Sequence, residues 1–269
     1  MNYGLYLSAA GIQTSTYRQD VISNNIANAE TVGFKKDVPL FQQRLTEAQS
    51  RRRGISGPSG PDAAGDPSDM TNPLLEPLGG GHWLAPTAVD LSQGELEPTG
   101  NPLDVGIMGP GYLRVSDGQG ADHLTRDGRL LVDSTGKLIM ANDQRQKLLD
   151  VKGKPIQLDP RAGATIDKQG LVTQNGKPVA RLGVYAVPQP GLLRKQGNGL
   201  FSYPDMGQAT AQASGFELRS ESVERANVDP ATELAALMDT QRQLEANANM
   251  IRYQDQALSK AVNEVGKIG

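Results

Sequence analysis

The sequence predicts an α+β fold: long N- and C-terminal helices packed as a coiled-coil-like pair, with a central, mostly antiparallel β-domain between them. Three observations lead there. Residues 229–265 contain no Gly and no interior Pro, and repeat apolar side chains at spacings of three and four. Residues 3–29 contain no Pro and no interior breaker except Gly11. Between the two, from about residue 84 to 219, short apolar runs alternate with Asp-Gly and Asn-Gly turn signals. The expected segments are an N-terminal helix within 1–34, an extended arm and Gly/Pro-rich linker at 35–83, the β-domain at 84–219 and the C-terminal helix within 220–269.

At the N-terminus, Leu5, Ala9, Ile12, Thr16, Gln19, Ser23 and Ile26 continue a 4-3 spacing, but only four of these seven are apolar. The stripe is thin, and Ser8, Ala9, Ala10 and Gly11 let another backbone come close. A helix of this kind depends on packing for its stability. Asn24, Asn25 and Asn28 then crowd five residues with poor helix formers. Their amides suit either the last helical carbonyls or groups on a neighbouring chain. Gly33 stands where a left-handed residue ends or turns the helix, with Phe34 packing back.

Residues 54–81 hold seven Gly and five Pro, the composition of a linker or functional loop. Arg51, Arg52 and Arg53 just before it read as a solvated charge cluster.

In the β-region, Gly109-Pro110-Gly111 predicts a turn, Asp127-Gly128 a tight turn joining 123–125 to 130–132, and Asn175-Gly176 another. Val179 to Val187 reads as one strand. The aspartates at 127, 133 and 167 each precede a Gly by one or three residues, which turn chemistry explains better than acid–base catalysis.

The C-terminal helix should begin with Asp229 as N-cap and Pro230 in the first helical position. Val228 is placed to staple onto its first turn. Its expected seam is Leu234, Leu237, Gln241, Leu244, Ala248, Ile251, Asp255, Leu258, Val262 and Val265, eight of ten apolar. The helix would be about 50 Å long. The thin N-terminal stripe does not cover such a seam, so other subunits are the expected cover, and a head-to-tail contact that does not close makes a helical polymer.

Function classes narrow quickly. A net charge of −3 gives no reason to expect nucleic acid. There is no Cys, hence no disulfide or thiolate metal site. Neither His82 nor His123 has a second His at ligand spacing. No phosphate loop or nucleophile elbow is present, so no catalytic residue, cofactor, metal or small-molecule substrate is expected. The first eleven residues lack a basic and an apolar signal region, so any export is expected to proceed without a cleaved signal. A cell-wall-cleaving enzyme would need a framed pair of carboxylates, and none is evident. An oligomeric β-domain adhesin or binding module is the alternative.

Four stretches resemble the bacterial flagellar rod and hook axial family. They are Ser23-Asn24-Asn25-Ile26-Ala27-Asn28 with Thr31, Gly33, Phe34 and Lys35; Thr99 to Val105 with Gly109, Gly111 and Tyr112; Leu124 to Gly128 with Val132, Asp133 and Gly136; and Glu224 to Asp255, including Asn227, Val228, Glu233, Met238, Arg242 and Glu245. The resemblance implies a structural subunit of the basal-body rod that transmits torque across the periplasm. It further implies export by the flagellum's own type III apparatus, and self-association together with other axial proteins as partners. Length and domain number resemble the proximal or distal rod subunit, not the longer hook protein. The stretches 182–185 and 199–201 lean toward the proximal kind. The implied subunit interface comprises Leu5, Ala9, Ile12, Asn24, Asn25, Ile26, Asn28, Gly33 and Phe34 on one side. On the other it comprises Leu234, Leu237, Gln241, Leu244, Ile251, Asp255, Leu258 and Val262.

Overall fold

The computed structural model describes residues 2–43, 82–118, 120–142, 144–204, 206, 210–211 and 215–265. The arginine cluster at 51–53 and the Gly/Pro-rich stretch at 54–81 lie outside the described residues. Within them the chain is α+β, with a helix near each end and antiparallel sheets between. Helix α1 (Asn2–Ala27) and helix α2 (Pro230–Val265) stand where the breaker-free segments lie. Pro230 opens α2 because its missing N–H costs nothing in the first turn.

The chain divides into two compact units. Unit 1 comprises residues 1–24, 38–88 and 231–269, and unit 2 residues 25–37 and 89–230. Unit 1 thus holds most of both helices and most of a two-stranded sheet made by β1 (Asp37–Gln43) and β2 (His82–Val89).

Unit 2 is built on short strands. Strand β3 (Leu96–Pro98) pairs with β18 (Ser222–Glu224), and β4 (Val105–Met108) with β17 (Glu217–Ser220). The main sheet takes β5 (Tyr112–Ser116), β6 (Asp122–Thr125), β7 (Leu130–Val132), β8 (Leu138–Met140) and β9 (Lys147–Leu148) from the first half. A separate three-stranded sheet contains β10 (Ala164–Ile166), β11 (Leu171–Gln174) and β12 (Lys177–Arg181). The main sheet is completed by β13 (Val184–Ala186), β14 (Arg194–Gly197), β15 (Leu200–Ser202) and β16 (Thr210–Ala211). Its order is β14-β15-β6-β5-β9-β8-β7, with β13 pairing β5 and β16.

Two cores result. One gathers Val105, Ile107, Leu113, Leu130, Met140, Leu148, Val172, Leu182 and Leu218, and is almost wholly aliphatic. The other stacks Tyr112, Leu124, Tyr185, Phe201 and Tyr203. Four aromatics gather in this second core, with Tyr112 and Phe201 meeting edge to face at 5.8 Å.

Turn chemistry follows the expectation at most points. Asp133 accepts from the N–H groups of Thr135 and Lys137, and Asp167 from those of Gln169 and Leu171. Asn175 and Gly176 both take positive φ between β11 and β12, as a primed hairpin turn requires. Two expectations fail. Asp127-Gly128 does not close a hairpin: β6 lies between β5 and β15, while β7 is at the far end of the sheet beside β8. Gly128 is there for close approach, since an added Cβ would sit 1.7 Å from the Val105 carbonyl oxygen. Residues 179–187 are not one strand either. The run breaks at Leu182-Gly183, where the Leu182 N–H donates to Gly170 O, and β12 and β13 join different sheets.

Candidate functional site

The four family-like stretches meet in unit 2 around one carboxylate. Glu224, at the end of β18, is fully buried, as is Lys35. Lys35 Nζ donates to Glu224 Oε1 at 2.5 Å and to the Ser92 carbonyl at 2.7 Å. The Gly94 N–H donates to the same carboxylate oxygen at 2.9 Å. From the other side, Arg126 reaches Glu224 Oε2 at 3.1 Å and the Gly109 carbonyl at 2.9 Å, with its guanidinium stacked 4.9 Å from the Tyr112 ring centre. The Glu224 carbonyl accepts from the Gly33 N–H at 2.7 Å. Lys35 and Gly33 come from the first stretch, Gly109 and Tyr112 from the second, Arg126 from the third and Glu224 from the fourth.

Backbone shape makes this possible. Gly33 has φ +69, and an added Cβ would lie 2.6 Å from backbone atoms of Arg126 and Asp127. Gly94 lies closer still to Arg225, with 2.1 Å left for a Cβ. Glycine therefore lets three segments close on the Glu224 carboxylate.

The electrostatics match. Burial pushes the Lys35 ammonium below the ordinary lysine range, against the opposing pull of Glu224. Burial also raises the Tyr112 hydroxyl. A buried ion set of this kind is a poor source of net stability, yet removing one member leaves an uncompensated buried charge. It selects one arrangement of the segments that carry it.

Phe34 packs back on the turn that precedes it. It packs against Ala29 and Val228, and Lys195 Nζ lies 4.0 Å from its ring centre. Val228 packs with Ala29 and Phe34. Asn25 is buried and exchanges two hydrogen bonds with the backbone of Asp37, each 2.9 Å long. Of the other proposed interface residues near the N-terminus, Leu5, Ala9 and Asn24 are exposed, and Ile12, Ile26 and Asn28 half-buried.

In unit 1 the two helices touch through small and polar side chains. An added Cβ at Gly4 would meet Gln254 Nε2 at 2.4 Å, and one at Gly11 would meet Asn247 Nδ2 at 2.7 Å. Seven residues forward on α1 match seven residues back on α2, so the pair runs antiparallel. On α2 the more covered side comprises two heptad rows: Leu237, Leu244, Ile251 and Leu258, and beside them Glu233, Thr240, Asn247 and Gln254. The first row was legible as seam. The second was not, and its expected counterpart faces outward, with Leu234, Gln241, Asp255 and Val262 all exposed. The facing stripe of α1 is Gly4, Ser8, Gly11 and Ser15, small side chains that leave room for Asn247 and Gln254.

Among the described residues no group of three or more His, Cys, Asp or Glu is placed to hold a metal ion. His123 lies on β6 with Nδ1 buried and unpartnered. The groups around Glu224 are engaged by other parts of the same chain.

Comparison with known proteins agrees. The family described as flagella basal body rod protein matches residues 5–35, and the C-terminal family of flagellar basal body rod FlgEFG proteins matches residues 219–264. The chain is 28% identical to the flagellar basal-body rod protein FlgF of Caulobacter vibrioides over the full length of both. It is 30% identical to the flagellar basal-body rod protein FlgG of Bacillus subtilis, over 96% of this chain and 97% of that one. A further relative at 29%, covering 89% and 90%, is the flagellar hook-basal body complex protein FlhP of Bacillus subtilis. The chain belongs to the flagellar basal-body rod protein family, a structural family of the bacterial flagellum.

Proposed function

We propose that this chain is a rod subunit that polymerises through its terminal helices and transmits torque across the periplasm. The supporting observation is where the large apolar side chains stand. Eight of the thirteen exposed among the described residues are on α1 or α2: Leu5, Tyr6, Leu7, Leu234, Met238, Met250, Tyr253 and Val262. Tyr253 and Val262 are 67% and 70% exposed. Full burial of each such side chain is worth about 1.5–3 kcal/mol, so copies of this chain or of other axial proteins gain by covering them. The covered side of α2, with α1 lying antiparallel on it, fits a coiled-coil-like pair whose narrow seam leaves the broader apolar rows for neighbours. Gln241 and Asp255 then face a neighbour or a polar channel and help to set register. Passage to the rod through the flagellar type III apparatus belongs to the same reading. The reading calls for no cofactor or small-molecule substrate. Assignment to the proximal or the distal rod position rests on the lean of residues 182–185 and 199–201 toward the proximal kind.

Hydrogen exchange on dilute monomer and on polymer tests this. Weak protection of α1 and α2 in the monomer that rises on assembly is expected. Fully protected terminal helices in dilute monomer, or a closed small oligomer in sedimentation, would sink it.

A further inference from the structure

Three aspartates of unit 2, Asp133, Asp150 and Asp167, stand at intervals of seventeen residues. Each follows an aliphatic residue (Val132, Leu149, Ile166) and precedes by three a glycine of positive φ (Gly136, Gly153, Gly170). The hydrogen bonds repeat as well. Each carboxylate Oδ1 accepts from the N–H groups two and four residues on, those of Thr135 and Lys137, Lys152 and Lys154, Gln169 and Leu171, all at 2.8–2.9 Å. Each aspartate N–H donates to the carbonyl four residues on, and each glycine N–H to the aspartate carbonyl. The flanking residues pair in one register: Val132 with Leu138, Leu149 with Pro155, and Ile166 with Val172. The three return segments supply Leu138, Ile156 and Val172 to the aliphatic core.

We propose that residues 130–180 are three copies of one self-closing hairpin unit, and that these copies form the folding nucleus of unit 2, with the Glu224 cluster closing last. Joining two points of a chain costs entropy that grows with their separation. The bonds of each aspartate carboxylate reach no further than four residues. Glu224, in contrast, meets Arg126 and Lys35 across 98 and 189 residues. The pairings of β18 with β3 and of β17 with β4 are of the same distant kind. Distant pairings form slowly. A carboxylate whose cations have not yet arrived stays in water, because burying it alone is costly.

Refolding and unfolding of the full-length monomer in urea, followed by near-UV dichroism of the unit 2 tyrosines, test this. D133A, D150A and D167A are each expected to slow refolding about fivefold and to leave unfolding unchanged. E224Q is expected to leave refolding unchanged and to speed unfolding by more than about fivefold. S134V/T135K, which copies the second loop into the first, should hold both rates within about twofold of the natural chain. If an alanine variant fails to fold, the matching asparagine, which keeps the accepting oxygen, is read in its place. V223A, on the same strand, replaces E224Q in the same way. A loop variant that acts on unfolding alone, a β18 variant that slows refolding, or a loop exchange that moves either rate beyond its limit overturns the proposal. Dilute monomer is used throughout, so folding order and assembly fail separately.

Discussion

Glu224 shows how one side chain serves two distant parts of the sequence. Its carboxylate is shared by Lys35 and Arg126, and all three are buried. Glu224→Ala strands two cations, and the expected loss is about 3–5 kcal/mol, read as a lowered urea midpoint. An unchanged midpoint would mean that water reaches the network. Gly33→Ala should cost more than about 1 kcal/mol, because φ there is positive and the new Cβ meets the backbone of Arg126 and Asp127. Asp90 adds a pH dependence. The Ser92 N–H, donating to its side chain, holds the carboxyl below its usual range. A depressed folded value means that the stabilisation is present above the unfolded value and lost as pH falls through the folded one. Asp90→Asn should therefore flatten the acid limb of the stability curve below about pH 4, measured by thermal melts across pH.

For the helices, the decisive feature is which of two adjacent rows turns inward. Thr240 is fully buried and its hydroxyl donates to the Ala236 carbonyl, whereas Gln241 beside it is exposed. Thr240→Arg is expected to disturb the isolated chain, since it places a long charged side chain at a fully buried position. Gln241→Arg should leave monomer stability within about 0.5 kcal/mol and show its effect only in assembly. Circular dichroism and polymer sedimentation separate the two outcomes; equal effects of both in the monomer would contradict the observed facing. Gly11→Leu would push against Asn247 and should loosen α1, seen as faster amide exchange along it. The short strands carry a similar lesson. Asx-Gly signals at 133–136 and 167–170 located true hairpin loops, but the same chemistry at 127–128 marks a close backbone crossing.

At the scale of the whole molecule, each unit is assembled from separate stretches of the chain, and the backbone crosses between units four times. Terminal helices, antiparallel strands, most turns and the absence of Cys were all legible from local pattern, because periodicity and turn preference are properties of neighbours in sequence. The four family-like stretches were legible too, though not that they surround Glu224. Its partners lie 189 and 98 residues away, and no local spacing encodes that distance. The 3-4 repeat specified Leu237, Leu244, Ile251 and Leu258, but allows either flanking row to complete a seam. Only the shallow Gly4–Ser15 face of α1 decided between them, by admitting Asn247 and Gln254 and leaving Leu234 and Val262 outside. Local pattern determined which elements exist. Tertiary structure decided which faces and charges meet, because steric fit and desolvation depend on the facing surface and not on the segment alone.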